Sequence, residues 1–192
     1  TQVKALLQPM ADRVADGGNP IVEIMVPLVS VTAELEISRA WIDQEIAASG
    51  IEGVSVGTMI ETPRAALRAA DLAAHADFVS FGTNDLTQMT YGFSRDDVEA
   101  SVIAPYIAQG LVDRSPFDAL DHDGVGELVR MGVERGRAAK PDLKCGICGE
   151  HGGDPSSIAF VVGIGLDYVS CSPPRIPTAR LAVAQALLDL DR

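Results

Sequence analysis

The stretch Val54-Ser55-Val56-Gly57-Thr58-Met59-Ile60, running straight into Glu61-Thr62-Pro63, decides how this chain is read. It is an apolar β run that ends on a carboxylate and a helix-start signal. Two other stretches repeat the arrangement. Phe78 to Phe81 leads into Gly82-Thr83-Asn84-Asp85, and Leu143 to Ile147 leads into Cys148-Gly149-Glu150-His151-Gly152-Gly153. In a parallel α/β barrel the ends of such strands share one rim, and that rim carries the chemistry. Two carboxylates and a thiol on one rim point to a divalent metal with a proton donor beside it.

Working outward, Ile21 to Val26 is a short β run closed by Pro27, and Tyr168 to Cys171 is a last strand. The segments between have helical composition. They are Val3 to Val14, Thr32 to Ala48 with Glu34 and Glu36 in its first turn, Arg64 to Ala74, Val125 to Ala138, Asp154-Pro155 through Val162, and Pro177 to Leu190. Anions near a helix start suit its dipole. Thr62 before Pro63 reads as an N-cap followed by proline at the first helical position, and Asp154 before Pro155 repeats it. Asn84 to Lys140 is less regular, with a short helix at Leu86 to Thr90 and a polar stretch from Ser94 to Asp123.

Five β runs alternating with helices imply parallel strands and right-handed crossovers. No linker and no short repeat divides the chain, so residues 1–192 are expected to be one partial barrel domain. The pattern fits either an open doubly wound sheet or part of an eight-stranded barrel. The chain starts at Thr1 and enters a helix at once, which favours the second reading and an excised fragment or lost N-terminus.

The bulk numbers narrow the function. At 192 residues and 47% apolar, the chain can bury a sizeable core. No apolar run approaches a membrane span and no signal peptide is visible. A net charge of −12 argues against nucleic acid, which needs a basic face. Three cysteines are too few, and odd in number, for a secreted disulfide framework. A reducing compartment is expected, the cytosol first, with organelle import left open.

Each functional reading has a plainer rival. Glu61 and Asp85 each resemble ordinary helix-start acids when taken alone. Together they could hold Mg²⁺, which takes oxygen ligands and needs only one or two carboxylates. Gly82 would let backbone amides approach an anion, and Asn84 offers both donor and acceptor. Cys145-Gly-Ile-Cys148 with His151 downstream could be zinc or a redox pair. A fourth zinc ligand is missing, and on a strand the two thiols face opposite sides. Cys145 and Cys171 read as packing, whereas Cys148 before a glycine loop can act as nucleophile or general acid/base. His151 either orients that thiol or is solvated. His75 and His122 read as surface residues, and Arg64 as a surface charge or ion-pair partner. Arg95, Asp96 and Asp97 read as a solvated loop or a structural ion pair. Trp41 and the five methionines are expected to pack inside.

GTMIETPRAAL (57–67), DFVSFGTNDLTQMTYGFSRDD (77–97), GICGEHGGDPSS (146–157) and GLDYVSCSPPRIPTARLAVAQA (165–186) closely resemble the C-terminal domain of the pyruvate, phosphate dikinase family of PEP-utilising enzymes. The resemblance runs from Thr1 to about Leu188. The GTNDLTQ signature is shared with phosphoenolpyruvate synthase and enzyme I of the sugar phosphotransferase system, while CGEHGGDPSS and FSRDD look specific to the dikinase. The resemblance implies an α/β fold, the C-terminal part of a (β/α)8 TIM-type barrel covering about strands 4–8. It implies that Glu61 and Asp85 ligate Mg²⁺, and that Glu61, Gly82, Thr83, Asn84 and Asp85 line a pyruvate/phosphoenolpyruvate site. Cys148 is then the proton donor and acceptor at the methyl carbon. It also implies a homodimer, and phosphohistidine and nucleotide-binding domains that lie outside this chain, along with substrate-clamping arginines. The rival expectations are a phosphoenolpyruvate synthase-type domain and a non-catalytic half-barrel that serves in assembly.

Overall fold

The computed structural model describes residues 1–190. Five strands form one parallel sheet in simple sequence order: β1 (Val22–Val26), β2 (Val54–Ile60), β3 (Phe78–Gly82), β4 (Lys144–Cys148) and β5 (Tyr168–Val169). The helices, in chain order, are α1 (Gln2–Ala15), α2 (Thr32–Ser49), α3 (Pro63–Leu67), α4 (Ala69–Ala73), α5 (Thr83–Tyr91), α6 (Arg95–Val98), α7 (Ala104–Ala108), α8 (Val125–Ala139), α9 (Pro155–Gly163) and α10 (Ile176–Leu190). All four strand pairings are parallel. A long crossover between β3 and β4 carries α5 to α8. Among the described residues, no helix is long and apolar enough to cross a membrane.

Strand alternation sorts the side chains onto two faces. Ile60, Val79, Phe81, Cys145 and Ile147 point to the helices and build the core with Leu35, Ala65, Ala66, Leu72, Val129 and Val133, while Val56 packs with Ile24 and Ile42 in a smaller cluster. Glu23, Met59, Ser80, Gly82, Lys144, Cys148 and Tyr168 fall on the other face. That face curls inward. Lys144 Nζ on β4 lies 2.8 Å from Glu23 Oε1 on β1, although three strand spacings separate the two by about 14 Å in a flat sheet. A parallel sheet that brings β1 and β4 into contact across its concave side is a partial barrel.

One device fixes the register at the N-terminal rim. Asp77, just before β3, brackets Val56 of β2: its N–H donates to Val56 O at 2.8 Å and its Oδ2 accepts from Val56 N at 2.8 Å. Asp167, just before β5, does the same to Cys145, at 2.8 and 2.7 Å. Arg39 holds Asp77 at 3.2 Å and Arg137 holds Asp167 at 2.9 Å. The N-terminal ends of these strands are therefore tied, and the opposite rim is left free for chemistry.

The cap signals act as read. Thr62 accepts from Ala65 N at 3.0 Å and Asp154 from Ser157 N at 2.8 Å, each ahead of a proline. Glu34, without Glu36, stands in the first turn of α2 and accepts from Ser30 N and Val31 N. The helix expected over Arg64–Ala74 is instead α3 and α4, parted at Arg68, whose N–H is shared between Arg64 O and Ala65 O. The polar stretch after Ser94 is more ordered than its composition implies, with α6, a π-helical turn at Glu99–Ile103, and α7.

Two core expectations fail. Trp41 is 67% exposed, because the face α2 presents to the sheet runs through Leu35 and Ile42. With Leu6 and Met25, Trp41 instead lines an open cavity of about 880 Å³ between α1, β1 and α2. Of the methionines, Met10 is buried, whereas Met25 and Met89 are exposed.

Gly57 shows how tight the concave face is. A Cβ there would lie 2.4 Å from Phe78 O and 2.7 Å from the Phe78 ring. Overpacking against backbone costs about 1–3 kcal/mol, so Gly57→Ala is expected to lower the unfolding free energy by that much and the urea midpoint with it. An unchanged midpoint would mean β2 and β3 are not this close.

Candidate active site

Glu61, Asp85 and Cys148 meet at the C-terminal rim. Glu61 follows β2 directly, Asp85 lies in the first turn of α5 just after β3, and Cys148 is the last residue of β4. Cys148 is in register with Gly82, so the thiol and the Gly82–Asp85 turn stand on adjacent strands.

Glu61 is 3% exposed. Its Oε1 accepts from Leu28 N at 2.6 Å. Leu28 adopts φ 55°, a left-handed conformation that a leucine rarely takes. The strained residue aims its N–H at the carboxylate, and such strain gathers at functional sites. Burial pushes the Glu61 carboxyl up, the Leu28 bond opposes this, and the charge and hydrogen bond of Asp85 raise it further. Neither acid has an ion-pair partner among the described residues, so two neighbouring carboxylates face each other without a cation. Gly82 has a different use from the anion approach expected of it. A Cβ at Gly82 would meet Glu61 Oε2 at 2.6 Å and Met59 Sδ at 2.7 Å, so the glycine makes room for the carboxylate.

The Cys148 thiol contacts Phe81 O at 3.6 Å. Burial raises it above the ordinary thiol range, a Ser80 hydrogen bond opposes this, and the charges of Glu61 and Asp85 add to the rise. The thiol is thus protonated at neutral pH. Cys145 points into the core as expected, and burial pushes its pKa up to about 11.

The three residues Thr83, Asn84 and Asp85 are each held by a separate partner. Gln88 Nε2 donates to Asp85 Oδ1 at 3.1 Å, and Gln88 Oε1 accepts from Arg95 N at 2.9 Å. Asn84 Nδ2 donates to Glu150 Oε2 at 2.7 Å. His151 lies 2.6 Å from Thr83 Oγ1 through Nδ1 and 2.9 Å from Pro116 O through Nε2. It is wholly buried, so it is neither solvated nor turned to the thiol. A carbonyl only accepts, so Nε2 carries the proton and Nδ1 accepts from the Thr83 hydroxyl. Thr83 also lies 3.2 Å from Cys148 O, but its single proton serves the shorter contact.

Burial dominates at His151 and lowers its pKa, against bonds and charges from Pro116, Asp154 and Glu150 that raise it. The folded value therefore lies below the unfolded value of about 6.5. The stability that this neutral ring contributes is complete above that value and is lost as pH falls through the folded pKa. Wild type is expected to lose stability below about pH 6.5 more steeply than His151→Gln, which cannot charge. At neutral pH the variant is expected to be weaker by about 1–3 kcal/mol through unmet polar groups. Equal acid slopes in urea titrations would refute the assignment.

Among the plainer expectations, His75 pairs with Glu36 at 3.1 Å and His122 stacks on Phe160. Arg64 donates to Ser30 O. Arg95 is the structural ion pair, 3.7 Å from Glu150 and 3.9 Å from Glu99, with its guanidinium 5.4 Å from the Phe117 ring. Leu28, Ser80, Gln88 and Glu150 were not singled out from sequence. Gln88 and Glu150 stand inside quoted motifs, and Leu28 carries no signal, since nothing marks a leucine for positive φ.

Among the described residues no group of three or more His, Cys, Asp and Glu is arranged to hold a metal. A carboxylate pair remains, which is what Mg²⁺ commonly takes from a protein. Buried Glu61 and half-buried Asp85, mutually repelling, fit such an ion in charge and in donor chemistry.

A curled parallel sheet with polar residues gathered at one rim defines a (β/α)-barrel domain with its site at the strand C-termini. Residues 1–188 match the family described as PEP-utilising enzyme, PEP-binding domain, and the chain belongs to that family. Its relatives include the chloroplastic pyruvate, phosphate dikinase of Flaveria bidentis, 53% identical over 192 residues, covering 97% of this chain and 20% of that protein. The pyruvate, phosphate dikinase of Rhizobium meliloti (strain 1021) is 52% identical over 194 residues, covering 98% and 22%. The chain thus spans about one fifth of these relatives. A citrate lyase structure from Burkholderia xenovorans LB400 superposes with a TM-score of 0.59 at 20% identity, over 84% of this chain and 48% of that one, a likeness of fold alone.

Proposed function

We propose that this chain is the pyruvate/phosphoenolpyruvate-binding part of a pyruvate, phosphate dikinase, and that its rim interconverts pyruvate and the enolate that takes a phosphoryl group from a phosphohistidine. The observation that carries the reading is the pair of buried Glu61 and half-buried Asp85, lacking a cationic partner among the described residues, one strand from a protonated thiol. Glu61 and Asp85 hold Mg²⁺, which when bound offsets the charge on the enolate oxygen. Gly82, Thr83, Asn84 and Asp85 line the substrate. The Cys148 thiol gives its proton to the enolate's methylene carbon, leaving pyruvate and a thiolate. In reverse the thiolate removes a methyl proton, and the C–H electron pair becomes the enolate.

The phosphohistidine and nucleotide-binding parts belong to other segments of the dikinase relatives, so this chain alone is expected to show no dikinase turnover. Turnover in a coupled assay would refute that. Dimerisation through this domain belongs to the same proposal, and a clean monomer on size-exclusion chromatography would count against it. The deciding experiment is calorimetric titration of oxalate, an enolate mimic, with and without Mg²⁺. Binding is expected only with Mg²⁺ and is expected to vanish in Asp85→Ala. Binding that ignores the metal or the variant would overturn the reading.

A further inference from the structure

Asn84 is half-buried, and its amide oxygen Oδ1 has no hydrogen-bond partner although it is wholly shielded from solvent. The other end of the amide is well held, with Nδ2 2.7 Å from Glu150 Oε2. An ionised carboxylate only accepts, so the amide has one permitted orientation: NH2 toward Glu150, carbonyl away. Held this way, Oδ1 is a buried polar group left unmet, which costs free energy.

Glu150 is itself anchored. Arg95 Nη1 stands 3.7 Å from its Oε1, and Arg175 Nη1 donates to its backbone carbonyl at 3.1 Å. The Asn84 bond, together with the charges of Arg95 and Arg175, keeps the Glu150 carboxyl below its ordinary range despite partial burial. Gly149, at φ 100°, lies against the amide, and a Cβ there would be 3.3 Å from both Nδ2 and Oδ1. Asn84, Gly149, Glu150 and Arg175 also line an open cavity of about 380 Å³ at this rim.

We propose that Glu150 is a positioning residue: it locks the Asn84 amide in one orientation, Nδ2 toward its own carboxylate, and so fixes the Asn84 side chain at the rim of the site. Arg95 holds Glu150 in place from behind. This rests on the proposed function only in taking Asn84 to face the bound ligand.

The test uses this chain, isotopically labelled, with the Asn84 side-chain amide followed by NMR. In wild type the two Nδ2 protons are expected to be well separated, one of them slow to exchange. Glu150→Ala is expected to merge them and speed exchange at least about tenfold through loss of a charge-assisted bond. Glu150→Gln, which keeps an acceptor, restores most of the protection. Backbone spectra beyond the rim serve as the control for folding. An Asn84 amide unchanged in Glu150→Ala overturns the proposal. In a second arm, oxalate with Mg²⁺ is expected to bind about tenfold more weakly to Glu150→Ala than to Glu150→Gln. If wild type binds no oxalate, the proposed function fails, while the amide exchange still decides the role of Glu150.

Discussion

Gly82→Ala is expected to abolish Mg²⁺-dependent oxalate binding while leaving the chain folded. The added Cβ would stand 2.6 Å from Glu61 Oε2, 2.8 Å from Glu61 Cβ and 2.7 Å from Met59 Sδ. Methionine can swing away, but the carboxylate has little freedom. Its Oε1 is tied to Leu28 N at 2.6 Å, and that N–H is fixed by the unusual backbone of Leu28. The carboxylate must then either break this bond or move off the metal position. Misplacing a site group by about 1 Å costs on the order of a hundredfold. Loss of affinity of at least that size is expected in calorimetry. Gly163→Ala is the control, since a Cβ there meets nothing within 4 Å, and it should bind like wild type. Wild-type affinity in Gly82→Ala would mean that the Glu61 carboxylate does not hold the ion.

The legible part of this molecule was the part governed by short-range rules. Strand runs that end on Glu61, Asp85 and Cys148, and cap-proline pairs at Thr62-Pro63 and Asp154-Pro155, are local in sequence. Each is found within a residue or two of where the pattern puts it. The opposition of Cys145 and Cys148 also follows from strand alternation alone, and one is in the core while the other is on the concave face. What could not be read was set by contacts distant along the chain. His151 is buried because Thr83 and Pro116, far apart in sequence, both reach it. Trp41 is exposed because its helix docks through Leu35 and Ile42, and helical spacing cannot rank those faces when apolar residues lie on both. The use of Gly82 as space for the side chain at the end of the neighbouring strand is a matter of tertiary distance. No composition rule supplies it.

Cys148→Ala is expected to lower methyl hydrogen exchange of pyruvate in D2O, with Mg²⁺ present, by about 10²-fold or more, the usual size of general acid–base catalysis. The thiol is the one proton carrier placed at the end of β4, beside Gly82 and facing the concave side. Its environment also dictates how it should react. Burial and the charges of Glu61 and Asp85 all favour the protonated form, with only Ser80 opposing. Since the thiolate is the reactive species, iodoacetamide should modify Cys148 more slowly than a free thiol at pH 7, and the rate should climb only above the ordinary thiol range. Mg²⁺ beside the two carboxylates removes part of the repulsion, so the ion should move this profile to lower pH. Peptide mass spectrometry separates Cys148 from the half-buried Cys171. Fast alkylation at neutral pH, indifferent to Mg²⁺, would place the thiol away from the carboxylate pair and remove it as the proton carrier. Slow alkylation that Mg²⁺ accelerates, together with exchange lost in Cys148→Ala, would join acid, thiol and metal in one site.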